Sequence, residues 1–199
     1  MSTNDFLPIT GQPPVERADA ARNRARILDA VRELLVDHSP CDISTDAVAA
    51  RAGVGKGTIY RRFGDRGGLM QAVLDDRERA FQQEVLAGDP PLGPGAPAGE
   101  RLVAFLYALV DQLEEIGDLM SEAEAGSSWL RSPPYRFRRM HVRVLLAGAR
   151  QDLDAEPLTD ALLAPLSAEM YRYQRREVGH DPQRIKAALG ALVTGVVGG

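Results

Sequence analysis

The residues with the clearest chemistry lie in the segment 55–62, which reads Gly-Lys-Gly-Thr-Ile-Tyr-Arg-Arg. Five of its side chains are hydrogen-bond donors: Lys56, Thr58, Tyr60, Arg61 and Arg62. The two guanidinium groups can bind phosphate or the edge of a guanine. Gly55 and Gly57 leave room for a phosphate oxygen to approach the free N–H groups at the start of a helix. This composition indicates a helix that binds a nucleic acid.

Two short helices joined by a tight turn are predicted to position this segment. Ser44 is a good N-cap for the first helix, and Gly53 is suited to the left-handed conformation that ends it. The second helix covers about 55–63, with Ile59 and Phe63 one turn apart on its inner face. This arrangement is the helix-turn-helix, in which the second helix enters the major groove of DNA.

The stretch from Arg24 to Leu74 resembles the DNA-binding domain of the TetR family of bacterial transcriptional regulators. The family signature is similar to A-G-V-S-K-G-T-L-Y-x-H-F, and residues 52–63 here read A-G-V-G-K-G-T-I-Y-R-R-F. Three positions depart from the family pattern. Gly55 replaces the common Ser, Arg62 replaces the usual His, and Arg66 replaces the usual Lys after the turn.

The resemblance implies a role for each residue of the motif. Lys56, Tyr60 and Thr45 are expected to contact phosphate, while Thr58 and Arg61 are the best candidates for contact with bases. The full expected set of DNA-binding residues is Thr45, Gly55, Lys56, Gly57, Thr58, Tyr60, Arg61, Arg62 and Arg66. A further basic group on the preceding helix either reaches the minor groove or forms a solvated face: Arg22, Arg24 and Arg26.

Charge supports a division of the chain into two parts. The net charge is −4, but residues 15–66 carry +2, residues 67–199 carry −5, and Asp5 carries the remaining −1. A slightly basic front and an acidic back fit one part that meets phosphate and one that does not. Chance scatter of charges is an equally good explanation of the charge pattern alone.

Other chemistry finds little support in the sequence. The G-V-G-K-G-T run is not a phosphate-binding Walker loop, because Ala50 stands where the first Gly is needed and Gly57 follows the lysine in place of Ser or Thr. Cys41 is the only cysteine, so no internal disulfide forms, and we expect it to be a small buried packing residue. The three histidines share no metal-ligand spacing. No cofactor, metal site or catalytic group is expected.

Helical periodicity dominates the chain, so the predicted fold class is all-α, with about nine helices. Residues 1–16 have no period and are expected to form a flexible arm. Residues 17–66 form the helix-turn-helix domain, and residues 67–199 form a helical domain for ligand binding and dimerisation. The helices expected in that domain cover about 68–86, 100–116, 118–130, 135–150, 156–177 and 183–197. The first 16 residues do not resemble a secretory signal, and no apolar run is long enough to cross a membrane, so a cytoplasmic location is expected.

The last two predicted helices are candidates for dimerisation. The final helix has a wide apolar stripe, formed by Ile185, Ala188, Leu189, Leu192, Val193 and Val196. With Leu158, Leu162 and Leu166 of the preceding helix it can form half of a four-helix bundle with a second copy. The alternative is that the last helix belongs to the core of its own chain. Pro165 is expected to kink the preceding helix.

An apolar cavity for a small-molecule effector is the second expected site. Its expected lining residues are Phe105, Leu109, Leu113, Met120, Trp129, Phe137, Met140, His141, Leu145 and Met170. The groups that can add polar contacts are Tyr107, Glu122, Glu124 and His141. The two glutamates beside aromatic residues suit a cationic lipophilic compound, whereas each residue taken alone is as easily explained by the core or the solvent face.

The resulting hypothesis is a homodimeric, ligand-responsive, sequence-specific DNA-binding regulator, a repressor that leaves a palindromic double-stranded DNA operator when a lipophilic small molecule binds. The rival hypothesis is a helical ligand carrier or enzyme without a DNA role.

Overall fold

The computed structural model of the protein describes residues 15–124 and 129–198, and within those residues the secondary structure is helical. The helices are α1 (Val15–Leu35), α2 (Thr45–Ala52), α3 (Lys56–Phe63), α4 (Arg66–Ala87), α5 (Ala98–Ala123), α6 (Pro133–Ala149), α7 (Ala155–Leu163), α8 (Ala168–Arg176) and α9 (Pro182–Val197). Short 3₁₀ turns lie at Pro40–Asp42, Trp129–Arg131 and Ala164–Leu166. The all-α prediction is confirmed. Residues 1–14 of the predicted arm lie outside the described residues, and Val15 and Glu16 belong to α1.

The first hydrophobic core joins α1, α2, α3 and the start of α4. Its members share almost complete burial: Ile27, Leu28, Ala30, Val31, Ile43, Val48, Ala49, Ala52, Ile59, Leu69, Met70, Val73 and Leu119. The predicted α1 stripe packs here, with Ile27 and Val31 fully buried. Leu119 is the one residue of this core that comes from α5, far along the chain.

The second core is built around α5, which packs against α6, α8 and α9. Its buried members are Phe81, Val85, Leu102, Phe105, Leu106, Leu109, Val110, Leu113, Ile116, Met120, Val142, Leu145, Leu146, Leu162, Leu163, Leu166, Ala168, Tyr171, Ile185, Leu189 and Val193. Helix α4 supplies Leu69 and Val73 to the first core and Phe81 and Val85 to the second. It therefore links the two parts of the molecule mechanically.

Helix α5 differs from the sequence prediction. Two helices were expected over 100–116 and 118–130, and the structure has one helix that is kinked at Ile116 (φ −135°, ψ 19°) and ends at Ala123. Gly117, with no side chain to restrict it, follows the kink. Beyond it, Leu119 lies in the first core while Met120 lies in the second.

The predicted 156–177 helix is also divided, and the kink expected at Pro165 is a complete break. Pro165 lies in the 3₁₀ turn between α7 and α8. Ser167 is extended and its hydroxyl accepts a hydrogen bond from Met170 N at 3.3 Å, which starts α8 as a new helix. Leu162 and Leu166 are buried in the core of their own chain, so the prediction that they face a second copy is wrong.

Helix α9 is a core helix of its own chain, but part of its wide apolar stripe stays exposed. Ile185, Leu189 and Val193 are buried in the second core, as an intramolecular helix requires. Ala188 and Leu192 of the same stripe are exposed. No helix among the described residues has the length and apolar character needed to cross a membrane.

Ion pairs cross the junction between the two cores. The Asp76 carboxylate of α4 accepts hydrogen bonds from Arg24 at 2.8 Å and Arg32 at 2.6 Å, both on α1. Burial raises the pKa of the Asp76 carboxyl, but the two arginines outweigh that effect and lower it overall. On α5, Glu115 accepts from Arg77 of α4 at 2.8 Å. These pairs fix α4 against both α1 and α5.

Leu119→Ala is expected to destabilise the protein by about 2–5 kcal/mol, because it leaves a cavity where α5 enters the first core. Leu86→Ala, at an exposed position of α4, is the matched control and should change stability by less than about 0.5 kcal/mol. Urea denaturation followed by circular dichroism measures both free energies of unfolding. Equal effects for the two variants would show that Leu119 does not hold the junction.

Candidate nucleic-acid interface

The α2–turn–α3 unit is fixed by local backbone chemistry. The Ser44 hydroxyl accepts a hydrogen bond from Ala47 N at 3.1 Å and caps α2. Gly53 ends that helix in the left-handed conformation, with φ 62° and ψ 42°, where a side chain is disfavoured. Thr58 N donates to Gly55 O at 2.8 Å and closes the first turn of α3. The predicted helix-turn-helix therefore has the expected geometry.

An arginine from α1 supports the turn, and sequence reasoning missed this role. Arg26 Nη2 donates to Ala52 O at 2.6 Å, the last carbonyl of α2. A Cβ on Gly53 would lie 2.9 Å from the same Nη2 atom. The side chain that was considered for the minor groove is thus committed to the turn. Arg24 is likewise paired with Asp76, whereas Arg22 pairs with Asp19 on the exposed side of α1.

Helix α3 has one inner and one outer face. Ile59 is completely buried and Phe63 packs against the first core from a partly buried position. The donors of the motif lie on the outer side: Lys56, Tyr60, Arg61 and Arg62 are exposed, and Thr58 is half-buried. Gly55 and Gly57 are exposed, and a Cβ at either position would meet nothing within 4 Å. An open backbone at the start of α3 and four exposed donor side chains thus surround the buried inner face that anchors the helix.

Two of the expected phosphate ligands contact each other. The hydroxyl oxygens of Thr45 and Tyr60 lie 3.3 Å apart, so the start of α2 and the middle of α3 meet at one point of the surface. Thr45 itself is buried and Tyr60 is exposed. The tyrosine hydroxyl is therefore the more accessible of the two groups to an incoming phosphate.

Lys56 is held in place before any partner binds. Its Nζ lies 2.7 Å from Asp46 Oδ1 and 5.9 Å from the centre of the Tyr60 ring. The hydrogen bond to Asp46 raises the pKa of Lys56, so the ammonium stays charged. A phosphate at this position must share the ammonium with Asp46 or displace it.

Two sequence expectations around the motif are revised by the structure. The Arg66 guanidinium donates to Ile43 O at 3.0 Å and to Pro40 O, so it stabilises the 3₁₀ turn at Pro40–Asp42 instead of lying free beside α3. Cys41 in that turn is exposed, and the prediction that it is buried is wrong. The proline before it, Pro40, takes the buried position.

The helical C-terminal region contains a cavity of about 550 Å³ between α4, α5 and the start of α6. Its apolar walls are formed by Leu74, Ile116, Met120, Trp129, Pro133 and Pro134. Its polar groups are Gln71, Asp75, Glu78, Arg79, Gln82, Gln112, Ser132 and Arg138. A cavity of this size and mixed character suits a small organic molecule.

The expected ligand-binding residues are only partly brought together. Met120 and Trp129 line the large cavity, and Leu109, Trp129 and Glu124 line a neighbouring one of about 90 Å³. Phe105, Leu113 and Leu145 are buried core residues, and Phe137 packs against that core. Met140 and Met170 are 54% and 44% exposed, so neither lies in an enclosed site as predicted. Helical spacing alone did not distinguish the cavity from the core or the surface.

The polar candidates differ in their surroundings. His141 lies between the rings of Phe105 and Phe137, and burial together with the charge of Arg101 lowers its pKa to about 4. It is therefore neutral at pH 7. Tyr107 packs against α9, where its hydroxyl lies beside Gly190.

Glu124 is tied to the start of α8. Its Oε2 accepts a hydrogen bond from Ala168 N at 2.8 Å. Burial raises the pKa of the Glu124 carboxyl, an effect that the Ala168 hydrogen bond and the charge of Arg138 only partly offset. The side chain of Glu122 lies outside the described residues.

The cavity also includes residues that the sequence did not single out. Leu74 and Glu78 of α4, Gln112 of α5 and Arg138 of α6 meet there. Charged residues on α4 look like an ordinary solvent face in the sequence. Helix α6 carries four arginines, so its sequence gave no signal that Arg138 is the buried one.

Comparisons with known proteins identify relatives of this chain. The sequence profile of the family described as bacterial regulatory proteins, tetR family, matches residues 27–73. The HTH-type transcriptional repressor LfrR of Mycolicibacterium smegmatis is 27% identical over 180 residues, which covers 78% of this chain and 94% of that protein. The HTH-type transcriptional regulator BetI of Cronobacter sakazakii is 27% identical over 190 residues, which covers 96% of this chain and 81% of that protein.

Solved structures show the same fold. The fatty acid degradation regulator FadR from Bacillus halodurans aligns with a TM-score of 0.64 at 16% sequence identity, covering 92% of this chain and 96% of that chain. At this level of identity the likeness concerns the fold alone.

Gly57→Ala and Gly53→Ala form a matched pair of tests. The first is expected to raise the free energy of unfolding by up to about 1 kcal/mol, because alanine favours the helix. The second is expected to lower it by about 1–2 kcal/mol, because of the left-handed backbone. We also expect Gly57→Ala to weaken duplex DNA binding at least tenfold, since its methyl group fills the space beside the α3 backbone. Thermal unfolding and fluorescence anisotropy measure the two effects, and unchanged DNA affinity for Gly57→Ala would contradict a close backbone approach.

Proposed function

This chain belongs to the TetR family of bacterial regulatory proteins and is a DNA-binding transcriptional regulator, and we propose that it is a repressor that a small-molecule effector releases from a palindromic operator. The observation that carries the DNA-binding part is the outer face of α3. There the motif donors are exposed while Ile59 holds the helix from beneath. The proposal places the protein in the cytoplasm, where its operator lies.

The residue roles in this proposal follow from position on α3. Lys56 and Tyr60 bind phosphates, because they lie together at the edge that faces α2. Thr58 and Arg61 contact base edges in the major groove, where a guanidinium fork recognises guanine. Phosphate contacts set the position on the duplex, and base contacts set the sequence preference.

Dimerisation is proposed through the outer faces of α8 and α9. On α9 the exposed residues Ala188, Ala191, Leu192 and Gly195 follow helical spacing and present small side chains that allow close helix packing. On α8 the exposed large apolar residues are Met170 and Tyr173. A two-fold dimer presents two α3 helices to an inverted repeat with half-sites about 34–36 Å apart.

The proposed effector site is the 550 Å³ cavity, because its walls include both connections to the DNA-binding part. Leu74 of α4 lies between the residues that this helix gives to the two cores. Ile116, at the kink of α5, lines the cavity one turn before Leu119 enters the first core. A ligand that moves α4 or α5 changes the angle of the DNA-binding part. By linkage, that ligand binds free protein more tightly than operator-bound protein.

The rival hypothesis, a helical carrier or enzyme without a DNA role, is not favoured. Regulators match the chain over 78% and 96% of its length, well beyond the helix-turn-helix. The protein is a regulator, not an enzyme.

The proposed DNA-binding roles predict two classes of variant. Lys56→Ala and Tyr60→Phe are expected to weaken binding to all duplexes alike, because they remove contacts to phosphate. Arg61→Ala is expected to cost about 1–3 kcal/mol on the preferred sequence and to relax the preference at one base pair. Affinities are measured against a selected operator and its single-base variants over a range of salt concentrations.

The salt dependence supplies the control. Loss of Lys56 removes one phosphate contact from each half-site, so the slope of log affinity against log salt should fall by about two for the dimer. An equal loss on every duplex for Arg61→Ala would remove that residue from base recognition. Binding without sequence preference for the wild-type protein would contradict the regulator's proposed operator.

Leu192→Glu is expected to convert the dimer to a monomer, because it places a charge in the centre of the proposed α9 contact. Val144→Glu on α6 is the matched control, since the two native side chains are 54% and 58% exposed. Light scattering after size-exclusion chromatography gives the mass of each variant. A dimeric Leu192→Glu protein would place the dimer contact elsewhere.

A further inference from the structure

The large cavity contains a deeply buried arginine whose hydrogen-bonding capacity is only partly used. Arg138 is 5% exposed and lines the cavity. A guanidinium has five N–H donors. Both hydrogen bonds of Arg138 use one nitrogen, because Nη2 donates to Glu78 Oε2 at 3.1 Å and to Gln112 Oε1 at 3.2 Å. Its Nε is buried and has no partner among the described residues.

The acceptors around this arginine are already occupied. Glu78 Oε2 binds Arg138, and Glu78 Oε1 accepts from Gln82 Nε2 at 2.8 Å. Gln112 is fully enclosed, and its Oε1 also binds Arg138. The polar floor of the cavity therefore has an unused donor and no unused carboxylate oxygen on Glu78.

The position that an organic cation would take is occupied by Arg138 itself. Its Cζ lies 5.3 Å from the centre of the Trp129 ring, and its charge is balanced by Glu78. An aromatic face beside a carboxylate is the usual seat for a cation. A cationic ligand would have to displace the guanidinium from both partners and leave it buried without compensation.

Two other carboxylates lie nearby. Asp75 of the large cavity is exposed, and its Oδ1 accepts a hydrogen bond from Gln71 Nε2 at 2.8 Å. The carboxylate of Glu124 has its Oε1 buried without a partner among the described residues. It lines the smaller cavity of about 90 Å³, below the usual range of about 300–1,000 Å³ for binding sites of organic ligands. Of these two carboxylates, one is exposed to solvent and the other lines a cavity that is too small, so neither offers a cation a buried partner like the one that Glu78 gives Arg138.

We propose that the large cavity takes an apolar molecule with an oxygen acceptor, a carbonyl or carboxylate group, that binds the unused donors of the Arg138 guanidinium while its apolar body packs against Trp129 and Met120. The inference rests on the proposed function only in calling this molecule the effector. The acceptor group completes the hydrogen bonds of the buried guanidinium. The apolar walls contribute affinity through burial of the ligand's hydrocarbon part.

The chain contains a single tryptophan, Trp129, in the wall of the large cavity and of the smaller one beside it, so its fluorescence reports on ligands bound there. The test titrates the full-length protein with three probes of equal chain length: octanoate, octanamide and octyltrimethylammonium. We expect octanoate or octanamide to bind at least tenfold more tightly than the ammonium, and the order of these two tells a carboxylate ligand from a neutral carbonyl. Equal or tighter binding of the ammonium, or binding by none of the three up to their solubility, overturns the inference.

Variants locate the contact. The double variant Arg138→Gln/Glu78→Gln removes both charges and keeps two amides of related shape, so no buried charge is left unpaired. It is expected to bind the preferred probe at least tenfold more weakly, by calorimetry, with a thermal unfolding transition that remains cooperative. Arg136→Gln, at an exposed arginine of the same helix as Arg138 that does not line the cavity, is the control and should change affinity less than threefold. Equal losses in both variants overturn the role of Arg138.

Release of operator DNA is measured separately, so that the two proposals fail independently. Binding of the oxygen-bearing probe without any change in operator affinity would contradict effector control and leave the ligand class intact. Release of DNA by the ammonium probe alone would contradict the ligand class and leave effector control intact.

Discussion

Burial of Ile59 is the contact on which the DNA-binding surface depends. An eight-residue helix is not stable by itself in water, so α3 exists only because its inner face is packed into the first core. The left-handed Gly53 sets the angle at which α3 leaves α2, and Arg26 binds the carbonyl next to that turn. With these contacts in place, the donor side chains of α3 other than the half-buried Thr58 are exposed. The chemistry of α3 is thus a consequence of packing beneath it.

Two helices, α4 and α5, join the DNA-binding part to the C-terminal part. Helix α4 gives side chains to both cores, and α5 does so with two adjacent residues, Leu119 and Met120. Met120 lines the cavity while Leu119 is packed under the DNA-binding helices. The kink at Ile116 lies one turn before this pair of residues. In our proposal the occupant of the cavity acts on both helices at once.

Local patterns made the fold and the motif predictable, whereas contacts between distant segments were not. The Ser44 cap, the Gly53 turn and the inward Ile59 follow from residue type and spacing within twenty residues of sequence. Arg26 and Arg138 bind partners far along the chain. Nothing in the sequence around either arginine distinguishes a buried hydrogen-bonded side chain from one that is exposed to solvent. The cavity was misplaced for the same reason, since helical periodicity gives the buried face of a helix but not its neighbours.

The most direct test of the central claim is amide hydrogen exchange of the protein with and without a duplex that it has selected from random DNA. The account predicts slower exchange on DNA binding at Lys56 and Gly57 in the first turn of α3, where the backbone lies open to phosphate. It predicts unchanged exchange on the exposed face of α6. Slowed exchange elsewhere, with the start of α3 unaffected, would contradict it.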